Sequence, residues 1–277
     1  MTINIDKPPN MQANELIRLN ADKQLITKAT TMVAGYIDDV HTHPWHQIIF
    51  PLKGLLQSSI DDKCLLLPHN GMLYIPAYTI HKSIAVTETQ FLAIYLNPDK
   101  FVQYAETHKY CLVNAFIKEL ILLLFEKETV SQPESNITHL LTVLRDQIGA
   151  SDRYELPLLI PKDKRLLAIF SQIRQQPDLP FTLKQWATKV GASERTLSRI
   201  CAREFSQSFS LWRQNLRLVL SLQLLATNKS IQEIALDLGY GSDSAYIYAF
   251  KQVFNQTPSK YRNEGLKYDA VISALLT

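Results

Sequence analysis

Cysteine is scarce: only Cys64, Cys111 and Cys201 occur, far apart and with no C-x-x-C pair. A disulfide framework, a thiol-redox motif and a cysteine-held zinc are therefore excluded, and each thiol is read as a small buried hydrophobe. Long apolar runs are missing too. The longest, Leu120 to Phe125, falls far short of the roughly 18 to 20 residues a membrane helix needs. The opening Met1-Thr2-Ile3-Asn4-Ile5-Asp6 lacks the basic-then-apolar pattern of a secretory signal. No Ser/His/Asp, paired-carboxylate or phosphate-loop arrangement stands out. The expectation is a cytoplasmic protein without a membrane partner, and not an enzyme.

What is present suits two folded domains. The chain has 277 residues, 46% of them hydrophobic and 20% charged, which is ordinary globular composition at a length above that of one usual domain. The net charge of +3 conceals a split. Residues 1–162 hold 14 Lys and Arg against 17 Asp and Glu, whereas residues 163–277 hold 15 against 9. Eight of the eleven arginines lie in that second part, and arginine is the side chain best shaped for phosphates and guanine edges. A polyanionic partner or a solvated basic surface would both give this pattern.

Between residues 32 and 95, short apolar stretches at 47–52, 65–67, 73–75 and 91–96 are separated by Gly35, Gly54, Asp61-Asp62, Asn70-Gly71 and Pro98. This is the text of a small antiparallel barrel or sandwich. From His108 the period becomes helical. Residues 112–127 and 137–148 read as two antiparallel helices around the turn at Ser131-Gln132-Pro133, with enough apolar surface either for a dimer interface or for packing on the barrel. Two prolines, Pro157 and Pro161, mark a linker. Helices then follow at 165–174, 183–190, 194–205, 211–226, 231–238, 243–254 and 259–262. The expected partition is a barrel over 1–106, a helical dimerisation segment over 107–150, a linker over 151–162 and a DNA-binding domain over 163–277.

Two segments of the helical half share one grammar. In the first, helix 183–190 meets Gly191-Ala192 and then Ser193 heading helix 194–205; in the second, helix 231–238 meets Gly239-Tyr240-Gly241 and then Ser242 heading helix 243–254. The glycines suit the left-handed backbone of a helix end, and the serines can take the orphan amides of the next helix. This is helix-turn-helix geometry twice over. On the first recognition helix Leu197, Ile200, Cys201 and Phe205 fall inward, leaving Arg195, Ser198, Arg199 and Arg203 outward. The residues from Ala192 to Arg199, from Ile234 to Tyr246, and Phe250-Lys251 with Thr257-Pro258-Ser259-Lys260-Tyr261-Arg262 closely resemble the AraC-type transcription regulators. The resemblance implies two units joined by a long helix at 210–226, entering successive major grooves of double-stranded DNA. Mapped position by position, it assigns base contacts to Arg195, Ser198 and Arg199 on the first recognition helix and to Asp243, Ser244, Ile247 and Tyr248 on the second. Ser206 and Asn255-Gln256 stand where the family usually has glycine. Serine tolerates the left-handed backbone less well than asparagine, so a different shape is expected in the first loop.

The N-terminal half carries one cluster of potential ligands: His41-Thr42-His43, Gln47 and His81. The spacing from Gly35 through His41, His43 and Gln47 to Gly54 resembles the first cupin motif, with Gln for the usual Glu. Pro76 to His81 resembles the second, with Tyr78 for a usual Gly. The resemblance covers about residues 32–96 and implies a cupin-like sensory barrel. On strands, His41 and His43 share a face that His81 can join. Three imidazoles and an amide oxygen could hold a divalent transition metal. Polar lining of an effector pocket is the preferred reading of the two, because an amide is a poorer ligand than a carboxylate.

The fold class is thus α+β multidomain: an N-terminal cupin-like barrel with two helices and a C-terminal all-α double helix-turn-helix domain. The function expected is a dimeric, sequence-specific DNA-binding regulator responding to a small-molecule effector, meeting RNA polymerase if it activates. The alternative is a cupin-type metalloenzyme with an appended helical domain, and an architectural DNA-binding protein is a third. Paired helix-turn-helix units have no use in an enzyme, and recognition helices imply base readout rather than shape alone.

Overall fold

The computed structural model describes residues 13–60, 63–68, 71–100, 104–129, 134–151, 161–225 and 227–267. His69, Asn70, the turn at 131–133 and most of the expected linker lie outside them. The chain forms two compact units that divide chiefly near residue 155.

The first unit runs α1 (Ala13–Leu19), β1 (Leu25–Met32), β2 (Ile37–His41), β3 (His46–Lys53), β4 (Leu55–Ile60), β5 (Lys63–Pro68), β6 (Gly71–Ile75), β7 (His81–Ala85), β8 (Thr89–Leu96), β9 (Lys109–Leu112), α2 (Ala115–Thr129) and α3 (Glu134–Ala150). One sheet has the order β1-β8-β3-β6-β9 and the other β2-β7-β4-β5. β1 pairs with β8 in unbroken antiparallel register from Leu25↔Leu96 to Met32↔Thr89. β3, buried along nearly its whole length, lies between β8 and β6. Its register shifts between Pro51 and Lys53, where proline offers no amide to the ladder. Two expectations need correction. The first strand, at Leu25–Met32, lies ahead of the stretch from residue 32 in which strands are expected, and 109–112 is a strand on the edge of β6 rather than the approach to a helix. The four residues Lys-Tyr-Cys-Leu are too few to show a period of their own, so the open strand edge of β6 decides their conformation. α2 therefore starts at Ala115. It buries Ile117, Leu120, Ile121, Leu124 and Phe125, while α3 buries Leu141, Leu144 and Ile148.

The second unit is all helical: α4 (Lys164–Gln175), α5 (Leu183–Lys189), α6 (Glu194–Phe205), α7 (Phe209–Leu225), α8 (Ile231–Asp237), α9 (Asp243–Phe254) and α10 (Pro258–Lys267). Local chemistry sets the boundaries. Thr182 and Gln185 form a capping box on α5, and Ser230 and Glu233 form one on α8. Ser193 accepts from the Thr196 amide and Ser242 from the Ala245 amide, so each recognition helix starts on a serine cap. Gly191 and Gly239 take φ of +62° and +72° in the two turns. α7 is the spine, packing against α4 and α6 on one side and α8, α9 and α10 on the other. It buries Phe209, Trp212, Leu216, Leu218, Val219, Leu222 and Leu225. Each such side chain is worth roughly 1.5 to 3 kcal/mol of transfer free energy. Ser206 departs from expectation: it adopts the left-handed conformation that Asn255 adopts, so the two loops close alike.

Candidate effector cavity and nucleic-acid interface

His41 ends β2 and His81 opens β7, and the two are register partners on neighbouring strands. His43 lies just beyond β2, and Gln47 and Tyr95 are partners on β3 and β8. The rings of His41 and His81 are 4.3 Å apart between centroids, and those of His43 and His81 5.1 Å. One ring nitrogen from each of the three histidines lies within 4.8 Å of the other two. The sequence-predicted cluster is therefore brought together.

The other nitrogens are already committed. His41 Nδ1 is 2.7 Å from Asp39 O, His43 Nδ1 2.7 Å from Trp45 O, and His81 Nδ1 2.9 Å from Thr79 O. A carbonyl only accepts, so each Nδ1 carries a proton. Burial lowers the pKa of His43 and pushes His81 down to about 3, so both rings are neutral near pH 7. His81 Nε2 is buried with no hydrogen-bond partner. His43 Nε2 lies 3.1 Å from Gln47 Oε1, while Gln47 Nε2 donates to the Tyr95 hydroxyl at 3.2 Å. Two acceptors facing one another are at rest only with a proton or a cation between them. Turning the amide over would relieve His43 but would leave His81 Nε2 as it is. Imidazoles oriented through Nδ1 by carbonyls, with a ring nitrogen of each within 4.8 Å of the others, form a donor set that fits a divalent transition metal.

His41, His81, Gln47 and Tyr95 line a cavity of about 560 Å³ between the two sheets. Sequence reasoning missed Lys28, Thr30 and Asp38 on the same walls. Burial raises the Asp38 pKa and lowers that of Lys28, and each charge offsets part of the other's shift. The Thr30 hydroxyl is buried without a partner. Phe91 and Ile49 supply apolar wall, and α1 reaches the cavity through Ala13 and Asn14, whose side-chain amide donates to Thr42 O at 3.0 Å. Tyr78, exposed beside this site, holds φ 61° while its amide donates to His43 O at 2.8 Å. It carries without glycine the backbone that the cupin pattern assigns to glycine, at a strain of about 1 to 2 kcal/mol.

In the second unit, α6 buries Leu197, Ile200, Cys201 and Phe205, the four residues expected inward. Arg195, Ser198 and Arg199 are exposed, and among the described residues neither guanidinium has an ion-pair or hydrogen-bond partner, unlike Arg203, which pairs with Glu204. On α9, Asp243, Ser244 and Tyr248 are exposed and Ile247 is half-buried. Asp243 accepts from the Ser244 amide at 2.7 Å, so its carboxylate reinforces the helix start that Ser242 caps. Burial pushes the Cys111 thiol up to about 11 and that of Cys201 to about 12, which leaves neither as a thiolate near pH 7.

The sequence matches an AraC-like ligand binding domain over residues 30–158 and a helix-turn-helix domain over residues 186–264. The HTH-type transcriptional regulator NimR of Escherichia coli (strain K12) is 28% identical over 222 residues, which are 80% of this chain and 81% of NimR. The regulatory protein SoxS of the same strain is 31% identical over 96 residues, 34% of this chain and 90% of SoxS. Among solved structures, ToxT from Vibrio cholerae O395 aligns over 87% of this chain and 98% of its own at 11% identity, with a TM-score of 0.37. A cupin-like, ligand-binding unit followed by paired helix-turn-helix units, and a relative of SoxS over nearly all of that protein's length, the chain belongs to the AraC-type transcription regulators.

Proposed function

We propose that this regulator is a cytoplasmic homodimer, without enzymatic activity, that binds a small molecule in the cavity between its sheets and alters transcription of its target genes in response. His41, His43 and His81, with Gln47 beside them, would hold a divalent transition metal at the cavity wall. A metal ion there would offer open coordination positions to a ligand donor atom. Around it Lys28, Asp38, Thr30 and Tyr95 give the ligand polar partners, and Phe91 and Ile49 give it apolar ones. The observation that carries this reading is the convergence of three imidazole nitrogens within 4.8 Å, one of them a buried nitrogen with no partner. A metalloenzyme would share this cluster, but the basic helix-turn-helix half has no place in its chemistry.

Arg195, Ser198 and Arg199, with Asp243, Ser244, Ile247 and Tyr248, are proposed to meet the DNA bases and backbone. Dimerisation is assigned to the outer faces of α2 and α3, where Phe116 and Val143 remain exposed. Where the protein activates, RNA polymerase is its further partner. The test of the cavity reading uses the full chain, stripped with chelator and reloaded separately with zinc, nickel and manganese. Elemental analysis is expected to find about one ion per chain for at least one metal, lost in His43→Ala and His81→Ala. No retained ion with any of the three would remove the metal from the account.

A further inference from the structure

The segment leading into the first helix-turn-helix unit, residues 177–181, lies between α4 and α5 and carries three carbonyls that no helix or strand uses. α7 supplies their partners. Arg213 donates through Nη1 to Phe181 O at 2.7 Å and through Nη2 to Leu179 O. One turn further on, Arg217 donates through Nε to Pro177 O at 2.7 Å and through Nη2 to Leu179 O at 3.3 Å. Against the same segment sits Gly239, from the turn of the second unit. A Cβ there would lie 2.8 Å from Asp178 Cα, 3.0 Å from Asp178 O and 3.0 Å from Arg217 Nη2. The entry to the first unit, the shared spine and the turn of the second unit therefore close on one another at a single joint.

The chemistry of the joint is that of a fixed coupling. A planar guanidinium spreads its donors over two carbonyls at once, which a lysine ammonium cannot do with the same geometry. No described carboxylate lies within ion-pair distance of either arginine, so their hydrogen bonds go to backbone rather than to a charge partner. Both are half-buried, and burial together with the neighbouring Arg217 pushes Arg213 down to about 10. Half-buried guanidinium groups give up part of their hydration, and the carbonyls of 177–181 replace it, which ties that segment to α7. Gly239 removes the side chain that would push the two units apart.

Rigidity between two reading heads has a direct consequence on DNA. One added base pair moves a half-site by about 3.4 Å along the axis and turns it by about 34°. We propose that Arg213, Arg217 and Gly239 are positioning residues that fix the separation of α6 and α9, so that the protein reads the spacing between its two half-sites as well as their sequences. This rests on the reading that both units engage one duplex. None of the three is among the residues assigned to base contacts.

The experiment uses the full-length protein and sites selected from a pool of random duplexes, followed by a series with one or two base pairs inserted or deleted between the selected blocks. The wild type is expected to lose about tenfold or more in affinity for a one-base-pair change in either direction. In Arg213→Ala/Arg217→Ala, affinity for a duplex bearing one block stays within about threefold, while the spacing penalty also falls below about threefold. Arg213→Lys/Arg217→Lys keeps the charge without the fork and is expected to behave as the alanine pair does. Should the double variants fail to fold by circular dichroism, Gly239→Ala tests the joint from its other side and is expected to shift or blunt the preferred spacing. A folded variant that keeps the wild-type penalty, or a wild type indifferent to spacing, overturns the proposal. Selection of one block instead of two by the wild type would show instead that the two units do not share a duplex.

Discussion

Ser206 and Asn255 close the two recognition helices with one backbone conformation, φ 54° and ψ 27° for the serine and φ 55° and ψ 19° for the asparagine. Each donates its amide to a carbonyl four residues back, Ala202 and Lys251. Serine bears the left-handed strain that glycine would avoid and asparagine eases. Ser206→Gly is expected to stabilise the protein by about 0.5 to 1 kcal/mol, net of glycine's extra entropy in the unfolded chain, and Asn255→Gly by less. Denaturant titration checks this, and a destabilised Ser206→Gly would contradict the loop geometry.

Gln47 supplies the test of the cavity's donor set. Its Oε1 faces His43 Nε2 at 3.1 Å, so a carboxylate in its place would bring a charge to the same point. Gln47→Glu is expected to tighten binding of a divalent transition metal by about 10- to 100-fold. Isothermal titration with nickel or zinc into the stripped full chain measures it. Equal or weaker binding would mean that residue 47 does not face the ion.

Asp163 gives a pH dependence whose sign is fixed. Arg165 donates to its carboxylate through Nε at 2.9 Å, through Nη2 at 2.7 Å and through its backbone amide at 3.0 Å, and these bonds hold the pKa at about 2. A pKa depressed on folding contributes stability that is complete above the unfolded value of about 3.9 and is lost as pH falls toward 2. The gap between wild type and Asp163→Ala should be about 1 kcal/mol at pH 6, shrink as pH drops below about 5, and close only as pH falls through about 2. A gap that does not change with pH would assign the effect to packing alone.

The two reading heads should divide the labour. Arg195 and Arg199 are exposed on one face of α6, each able to make a bidentate guanine contact worth about 1 to 3 kcal/mol of discrimination. α9 offers hydroxyls, the half-buried Ile247 and a carboxylate engaged at its own helix start. Arg195→Ala and Arg199→Ala should relax base preference in one half of the site, whereas Ser244→Ala and Tyr248→Ala should weaken binding evenly across sequences. Site selection by each variant decides it. Equal changes of base preference from both sets would rule the division out.

How much of this was legible in the sequence follows from how local its causes are. The helices of the second unit end within one or two residues of expectation, apart from the longer last helix, because their caps, Thr182 with Gln185, Ser193, Ser230 with Glu233 and Ser242, are written beside them. β1 was not legible. Lys28 and Thr30 face a cavity instead of a packed core, so the alternation reads as that of a solvent-facing surface. β9 depends on an edge of β6 that is distant in the sequence. The histidines stood out through their spacing and rarity, whereas Lys28, Thr30, Asp38 and Tyr95 joined them only through sheet register. The joint at Arg213, Arg217 and Gly239 was hidden for the same reason, since its acceptors are backbone carbonyls that no residue type announces.

The central claim, that the basic half reads DNA sequence through two recognition helices, is tested most directly by offering the full-length protein a pool of random duplexes and sequencing what it retains. The account predicts two short enriched blocks about 10 base pairs apart, with affinity falling steeply as salt rises. Retention without an enriched sequence, or binding that salt leaves unchanged, would contradict it.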